Sequence, residues 1–302
     1  MKGASKLSMK ARRNVLGYVF VLPALLCFVV FVLVPLILSL VISFYTTDMF
    51  FTNMTPTGFD NFARVFQDLL FWRAIGNILL YTLMAVPLNV ILALVFASLV
   101  NSKIRGVKLF RVLFYLPSIT STVAASIVWL WLMNPAYGLL NNILTSIGLP
   151  AATWLTHSST ALVSVTIITV WQGVGGNMII FVAALQNVPV QLYEAAKLDG
   201  AGPLTIFFRI TLPMLAPTMY FILTMTLIGA FQLYDQVYVL TEGGPANSTL
   251  TPVYLIWQNS FGNNAGAQAG YAAAQSFILF IIIMLVTVIV RRFDRDSTKE
   301  AR

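Results

Sequence analysis

The chain has 302 residues, 59% of them hydrophobic and 9% charged, with mean hydropathy +0.85 and net charge +8. A soluble domain carries about 25% charged residues, so the composition excludes one and marks a membrane protein. A single cysteine, Cys27, lying in an apolar run, and a single histidine, His157, exclude an internal disulfide and leave little for a metal site or a His-based triad.

Residues 1–14 form a basic tail with Lys2, Lys6, Lys10, Arg12 and Arg13. The uncharged run Val15 to Phe44 follows. It is much longer than the apolar core of about 7–15 residues in a cleaved signal peptide, so it is predicted to stay as the first membrane helix, with Pro23 and Pro35 as possible bends. Residues 45–73 mix charge with Phe50, Phe51, Phe59, Phe62 and Trp72. They are predicted to form an ordered external loop with a short helix around 60–70. Helix two is placed at 74–100, followed by a basic loop with Lys103, Arg105, Lys108 and Arg111. Helix three is placed at 112–133, its end marked by Trp129, Trp131 and the Asn134-Pro135 break. Residues 134–158 contain no charged side chain and are predicted to be a loop with a short helix at 138–147. Helix four is placed at 159–185, where Gly173, Gly175 and Gly176 predict a kink. Helix five is placed at 214–240, an outer loop at 241–270 and helix six at 271–290. Arg291, Arg292, Arg295, Lys299 and Arg302 lie in a basic tail, residues 291–302. Each span has enough residues for a hydrocarbon core of about 30 Å. The fold class is all-α, one six-helix membrane domain over 15–290 with no soluble domain.

Between helices four and five, residues 186–213 are polar. Glu194 to Pro213 reads EAAKLDGAGPLTIFFRITLP: E-A-A, three residues, Gly, nine residues, then I-x-L-P. Physically this reads as two short helices at a turn. Asn187 is a candidate cap, Pro189 sits near the first turn, Gly200 follows as a C′ glycine, and Gly202-Pro203 restart a helix over 204–211. Leu192, Ala195, Ala196 and Asp199 share a face, which the two alanines keep thin, with Glu194 and Lys197 flanking it.

That spacing resembles the EAA signature of membrane subunits of binding-protein-dependent ABC importers. It is matched at Glu194, Ala195, Ala196, Gly200, Ile210, Leu212 and Pro213. The resemblance implies a type I importer permease core of the bacterial cytoplasmic (inner) membrane. It makes the loop a coupling helix that docks on an ATPase subunit, with Glu194, Ala195, Ala196, Asp199, Gly200, Ile210 and Pro213 as docking candidates. The implied partners are a second EAA-bearing permease, two ATPase subunits carrying ATP–Mg and an external solute-binding protein, besides membrane lipid. ATP binding would close the ATPase dimer and switch the core outward-facing; hydrolysis would reset it.

Every Lys and Arg except Arg64 and Arg73 falls on one side of the six spans. The positive-inside rule then puts both termini and the EAA loop in the cytoplasm, within reach of an ATPase, and accounts for the net charge without nucleic acid. No G-x-x-x-x-G-K-[ST], H-E-x-x-H, C-x-x-C or G-x-S-x-G pattern occurs, so no cofactor and no enzyme site are predicted in this chain.

Asp235 is the one carboxylate within a predicted span, and it reads either as a helix-mouth group near water or as part of a solute path. After it, Leu240-Thr241-Glu-Gly-Gly-Pro245 with Thr249 resembles the larger-type permease of carbohydrate importers, the group with the maltose and glycerol-3-phosphate systems. The chain lacks the additional amino-terminal helices and large external domain of the maltose transporter's larger subunit, so maltose itself is not implied. In that family sugar is held by the helices flanking the EAA loop. The matching candidates are Trp171, Gln172, Gly173, Thr226, Gln232, Tyr234 and Asp235, whose alternative role is helix packing. No Lys or Arg falls inside a predicted span, which favours a neutral sugar over glycerol-3-phosphate. An ion-coupled secondary carrier is the rival class, resting on Asp235 alone, and a non-transporting scaffold is a third.

Overall fold

A computed structural model describes residues 9–48, 50–51, 53–102, 106–262 and 268–300. Lys2, Lys6, Lys103, Arg105 and Arg302 lie outside the described residues. The described chain is mostly helical. Five of its helical runs are long and apolar enough to cross a membrane: Leu16–Ile42, Leu69–Asn101, Ala161–Gln186, Pro203–Phe231 and Ala269–Val290. A bent pair makes a sixth if counted as one span.

The chain divides into two compact units. The first takes Met1–Gln67 with Asn259–Phe277. Its helices α1 (Met9–Phe28) and α2 (Val34–Ile42) are joined by a π-helical turn, Val29–Leu33. The turn contains Phe31, whose carbonyl the Pro35 ring would otherwise strike, so the wider winding accommodates the proline without ending the helix. A two-stranded antiparallel ribbon follows, β1 (Tyr45–Thr46) with β2 (Thr55–Pro56), pairing Tyr45 with Pro56 and Thr46 with Thr55. The predicted surface helix is α3 (Asp60–Gln67). From it Asn61 Nδ2 donates to the carbonyls of Ser43 and Tyr45, each at 2.9 Å. Arg64 donates to Gln268 Oε1 and lies 4.2 Å from the centroid of the Tyr271 ring.

The second unit takes Asp68–Gln258 with Ile278–Arg302. Its spine is α4 (Leu69–Asn101), which packs along α8 (Ala161–Gln186) and α11 (Leu212–Phe231). Phe71, Ile78, Ile168, Met178, Phe181, Ile222 and Phe231 are fully buried. Where one third span was predicted at 112–133, there are two helices, α5 (Val107–Ile119) and α6 (Thr122–Leu132), bent by 101°. The Ser-Ile-Thr-Ser stretch is the cause. Thr120 turns its N–H and its hydroxyl on the Pro117 carbonyl, at 3.3 and 2.7 Å, and the Ser121 hydroxyl accepts from Ala124 N–H to cap the new helix. The short helix expected at 138–147 is α7 (Leu139–Ser146).

Four other boundaries differ from expectation. First, α8 runs unbroken through Gly173, Gly175 and Gly176. Gly175 serves close packing instead of a kink: a Cβ there would lie 2.2 Å from the Phe114 carbonyl oxygen of α5. Second, Asn187 closes α8, and Pro189 precedes α9 (Val190–Leu198), so Asn187 does not cap that helix. Third, α10 (Pro203–Ile206) passes through a π-helical turn, Phe207–Thr211, directly into α11, making one span where a separate short helix was expected. As before Pro35, the turn contains the residue four before the proline, here Arg209 ahead of Pro213. Fourth, the helix expected to reach residue 240 stops at Phe231. Gln232 and Leu233 close it with bonds to Gly229 and Ala230, and the Leu233 carbonyl instead accepts from Thr251 Oγ1 at 2.8 Å. α12 (Asp235–Leu240) and α13 (Pro252–Phe261) follow, the latter inside the predicted outer loop, and α14 (Ala269–Glu300) extends through most of the predicted tail.

Candidate functional site

The break after Phe231 creates a cavity of about 580 Å³ in the second unit, walled by α4, α8, the end of α11 and the start of α12. Gly173, Thr226, Gln232, Tyr234 and Asp235 line it, so five of the seven predicted path residues, from both sides of the EAA loop, converge on one space. The other lining residues include Tyr81, Asn177 and Gln236.

The polar groups of the wall bond one another. Asn177 Nδ2 donates to Asn89 Oδ1 at 2.7 Å and to Thr226 Oγ1 at 3.0 Å, linking α4, α8 and α11. Both Asn177 amide hydrogens are thereby engaged. Gln172 is buried and does not line the cavity. Its Nε2 donates to Thr120 O at 3.3 Å and Thr122 Oγ1 at 3.4 Å, and its Oε1 accepts from Gln236 Nε2 at 3.4 Å. It ties the α5–α6 bend to a cavity residue. Trp171 lies elsewhere, edge-on to Trp129 with centroids 5.4 Å apart.

Tyr234 belongs to a cluster of four rings. Tyr238 stacks on it at 5.7 Å, and Tyr254 and Trp257 of α13 approach at 6.2 and 6.0 Å. Burial, with Tyr238 and Asp235 nearby, holds the Tyr234 phenol above its ordinary pKa; burial and Glu242 do the same for Tyr254. Both therefore remain neutral donors. Tyr81, Asn177, Tyr254 and Trp257 were not among the candidates. Asn177 lies four residues after the candidate Gly173 on α8, whereas nothing local marks the other three.

Asp235 is exposed at the start of α12, and among the described residues no lysine or arginine lines the cavity. Arg73 is committed to the Ala246 carbonyl at 2.7 Å. With Asn77, which donates to the carbonyls of Asn247 and Leu250, it holds the Gly-Gly-Pro segment. Thr249, fully buried, closes that segment by donating to Gly244 O and meeting Thr241 Oγ1, both at 2.7 Å.

The EAA segment has a different character. Gly200 has φ +76°, with its N–H on Lys197 O at 3.1 Å and Ala201 N–H on Ala196 O at 2.9 Å. This is a Schellman closure of α9, with the C′ glycine where the sequence placed it. Leu192, Ala195 and Asp199 are exposed, as is Glu194, while Ala196 is buried and leaves the expected thin face. Val190, Leu198, Leu204 and Phe208 are exposed by 60% or more. Ile210 is half-buried and Pro213 exposed. Tyr193 OH meets Thr211 Oγ1 at 3.3 Å and ties α9 to the root of α11.

Apolar helices around a ligand-sized polar cavity, joined by an exposed helical loop, define a membrane permease. The chain belongs to the family of binding-protein-dependent transport system inner membrane components, whose model matches residues 71–299. It is 37% identical to the lactose transport system permease protein LacF of Rhizobium radiobacter, over 95% of this chain and 96% of that one. It is 34% identical to the sn-glycerol-3-phosphate transport system permease protein UgpA of Yersinia pestis, over 92% and 93%. Its fold matches the crystal structure of a bacterial ABC transporter involved in the import of the acidic polysaccharide alginate. The TM-score is 0.79 at 25% identity, over 94% of this chain and 96% of that chain. The protein is thus a multi-pass ABC importer permease subunit with the type I fold.

Proposed function

We propose that this permease conducts a neutral mono- or oligosaccharide through the cavity between α4, α8, α11 and α12. The observation that carries this reading is the wall itself. It offers amides, hydroxyls and a tyrosine backed by three further rings, and its one charged group among the described residues is the carboxylate of Asp235. Amides and hydroxyls match sugar hydroxyls, and aromatic faces match sugar C–H faces. A phosphate ester held there without a counter-charge would cost several kcal/mol. Of the two cations predicted on the outer side, Arg73 is bound to Ala246, and Arg64 to Gln268 and Tyr271.

In the same reading both termini and the EAA loop face the cytoplasm of a bacterial cell. The exposed apolar side chains of that loop, with Glu194 as anchor, enter a groove on a separate ATPase subunit that binds ATP–Mg. The working assembly is a heterodimer with a second EAA-type permease, two ATPase subunits and an external solute-binding protein. Closure of the ATPase dimer drags α9 and, through Tyr193 and Thr211, the root of α11, whose far end forms the cavity.

The test is uptake by the reconstituted complex, with neutral sugars set against glycerol-3-phosphate and an acidic oligosaccharide. Saturable ATP-dependent uptake of a neutral sugar is expected. Uptake of only the phosphate ester or the acidic sugar would overturn the reading, and uptake driven by an ion gradient without the ATPase would return the rival carrier class.

A further inference from the structure

Beside the conducting cavity, the second unit carries a concavity of about 440 Å³ between α4, α5 and α8 that the transport reading does not use. Its lining is apolar throughout and includes Leu88, Phe96, Phe110, Phe114, Ile167 and Trp171. Its volume falls within the roughly 300–1,000 Å³ typical of ligand sites. Leu88, Phe110, Ile167 and Trp171 are each more than 40% exposed, so the space opens outward from the unit. Its floor is closely packed: Phe96 stacks on Phe114 at 4.1 Å, Phe110 stacks on Phe114 at 6.3 Å, and α5 approaches α8 closely at Gly175.

The cations lie at one end of this space. Arg111 is one helical turn before Phe114 on α5, and Lys108 one turn before Arg111, spacings that place each beside the next along the helix. Both are exposed, and neither has a hydrogen bond or ion pair among the described residues. An apolar, outward-opening slot in a membrane helix bundle, with two uncommitted cations at one end, matches a molecule with a flexible hydrocarbon tail and an anionic head.

We propose that this slot is a binding site for an anionic phospholipid, with an acyl chain in the α4–α5–α8 concavity and the phosphate held by Arg111 and Lys108. Phosphate is an anion that arginine pairs with in a forked geometry, and basic side chains next to membrane helices attract anionic lipid heads. A zwitterionic lipid has the same tail, so the cations supply the discrimination. A rigid helix of the second permease is the competing occupant of the slot.

The test uses the intact importer in nanodiscs of equal phosphatidylglycerol and phosphatidylcholine, with retained lipid read by native mass spectrometry. The wild type is expected to retain phosphatidylglycerol preferentially, and to lose that preference as salt rises. Arg111→Gln with Lys108→Gln is expected to reduce the preference by about fivefold for each cation removed. In a second arm, the photo-crosslinker p-benzoylphenylalanine replaces Leu113, an exposed residue of the same lining. An adduct of lipid mass supports the site; an adduct of protein mass means that a helix fills the slot and overturns it. Equal retention of the two lipids by the wild type, or an unchanged preference in the double variant, would also overturn it.

Discussion

The cavity and the EAA loop lie toward different ends of the same two helices, and they are built in opposite ways. Thr226 is thirteen residues beyond Pro213, about 20 Å along α11. At the cavity, polar groups bond one another across three helices, as Asn177 does with Asn89 and Thr226. At the loop, α9 closes on its own Schellman bonds, and Leu198, Leu204 and Phe208 along the loop are exposed. The wall proposed to meet the solute has its polar groups paired from within the chain, whereas the surface proposed to dock on another chain leaves apolar side chains uncovered. The difference separates variants that change what is bound from variants that change whether binding is coupled.

The largest effect is expected where the cavity scaffold is tightest. Gly175→Ala puts a methyl 2.2 Å from the Phe114 carbonyl oxygen, a backbone atom that has no rotamer to give. A cost at or above the usual 1–3 kcal/mol of overpacking is expected, with loss of folded chain in fluorescence-detected size exclusion and a lower unfolding temperature. Gly176→Ala, with nothing within 4 Å of the added carbon, is the control and is expected to match the wild type. Equal behaviour of the two would mean that α5 and α8 are not held at that contact.

The next effect belongs to the loop. Gly200 at φ +76° disfavours a β-carbon by about 1–2 kcal/mol, and Glu194 is exposed on the proposed docking face. Gly200→Asp and Glu194→Lys are expected to leave the chain inserted at wild-type levels, abolish uptake and release ATP hydrolysis from control by the solute. Normal uptake by both would remove the loop from the coupling mechanism.

A smaller effect is expected for the ring cluster. Tyr234→Ala removes one wall ring and leaves Tyr238, Tyr254 and Trp257 in place. At about 0.5–1.5 kcal/mol for an aromatic contact, KM for uptake is expected to rise two- to tenfold, with stimulation of the ATPase retained at saturating solute. Loss of that stimulation would place Tyr234 with the coupling residues and erase the distinction between the two ends.

The same contrast explains what could be read from the amino-acid order. Gly200 was legible because a Schellman closure involves only residues 196–201, all in one short stretch. The short helices at 60–67 and 139–146 were legible for the same reason. The breaks at Thr120 and Phe231 were not, because long apolar runs flank both and the deciding groups are a hydroxyl turned on its own helix and the distant Thr251. Gly173, Gly175 and Gly176 predicted a kink because glycine weakens an isolated helix. In the fold α5 presses a carbonyl onto Gly175, and α8 continues unbroken. Tyr254 and Trp257 join Tyr234 from some twenty residues away, a proximity only the tertiary fold supplies.

The smallest effect is expected at Asp235, and its size separates two accounts of the cavity. The carboxylate is exposed and opens α12, a six-residue helix with no side-chain cap. An acidic group in a first turn stabilises a helix by roughly 0.3–1 kcal/mol, and exposure and salt reduce this further. Asp235→Asn keeps the shape and the hydrogen-bonding capacity and removes only the charge. For a neutral sugar the wall has no electrostatic reason to notice, so KM is expected to shift by less than about threefold, within the range of an exposed charge. For an anionic competitor the change removes a repulsion, so inhibition by glycerol-3-phosphate is expected to strengthen modestly, and to do so more at low ionic strength than at high. A large loss of neutral-sugar uptake on removing the charge would show that the carboxylate itself grips the solute, and that the cavity selects by a charged hydrogen bond instead of by its amides and rings.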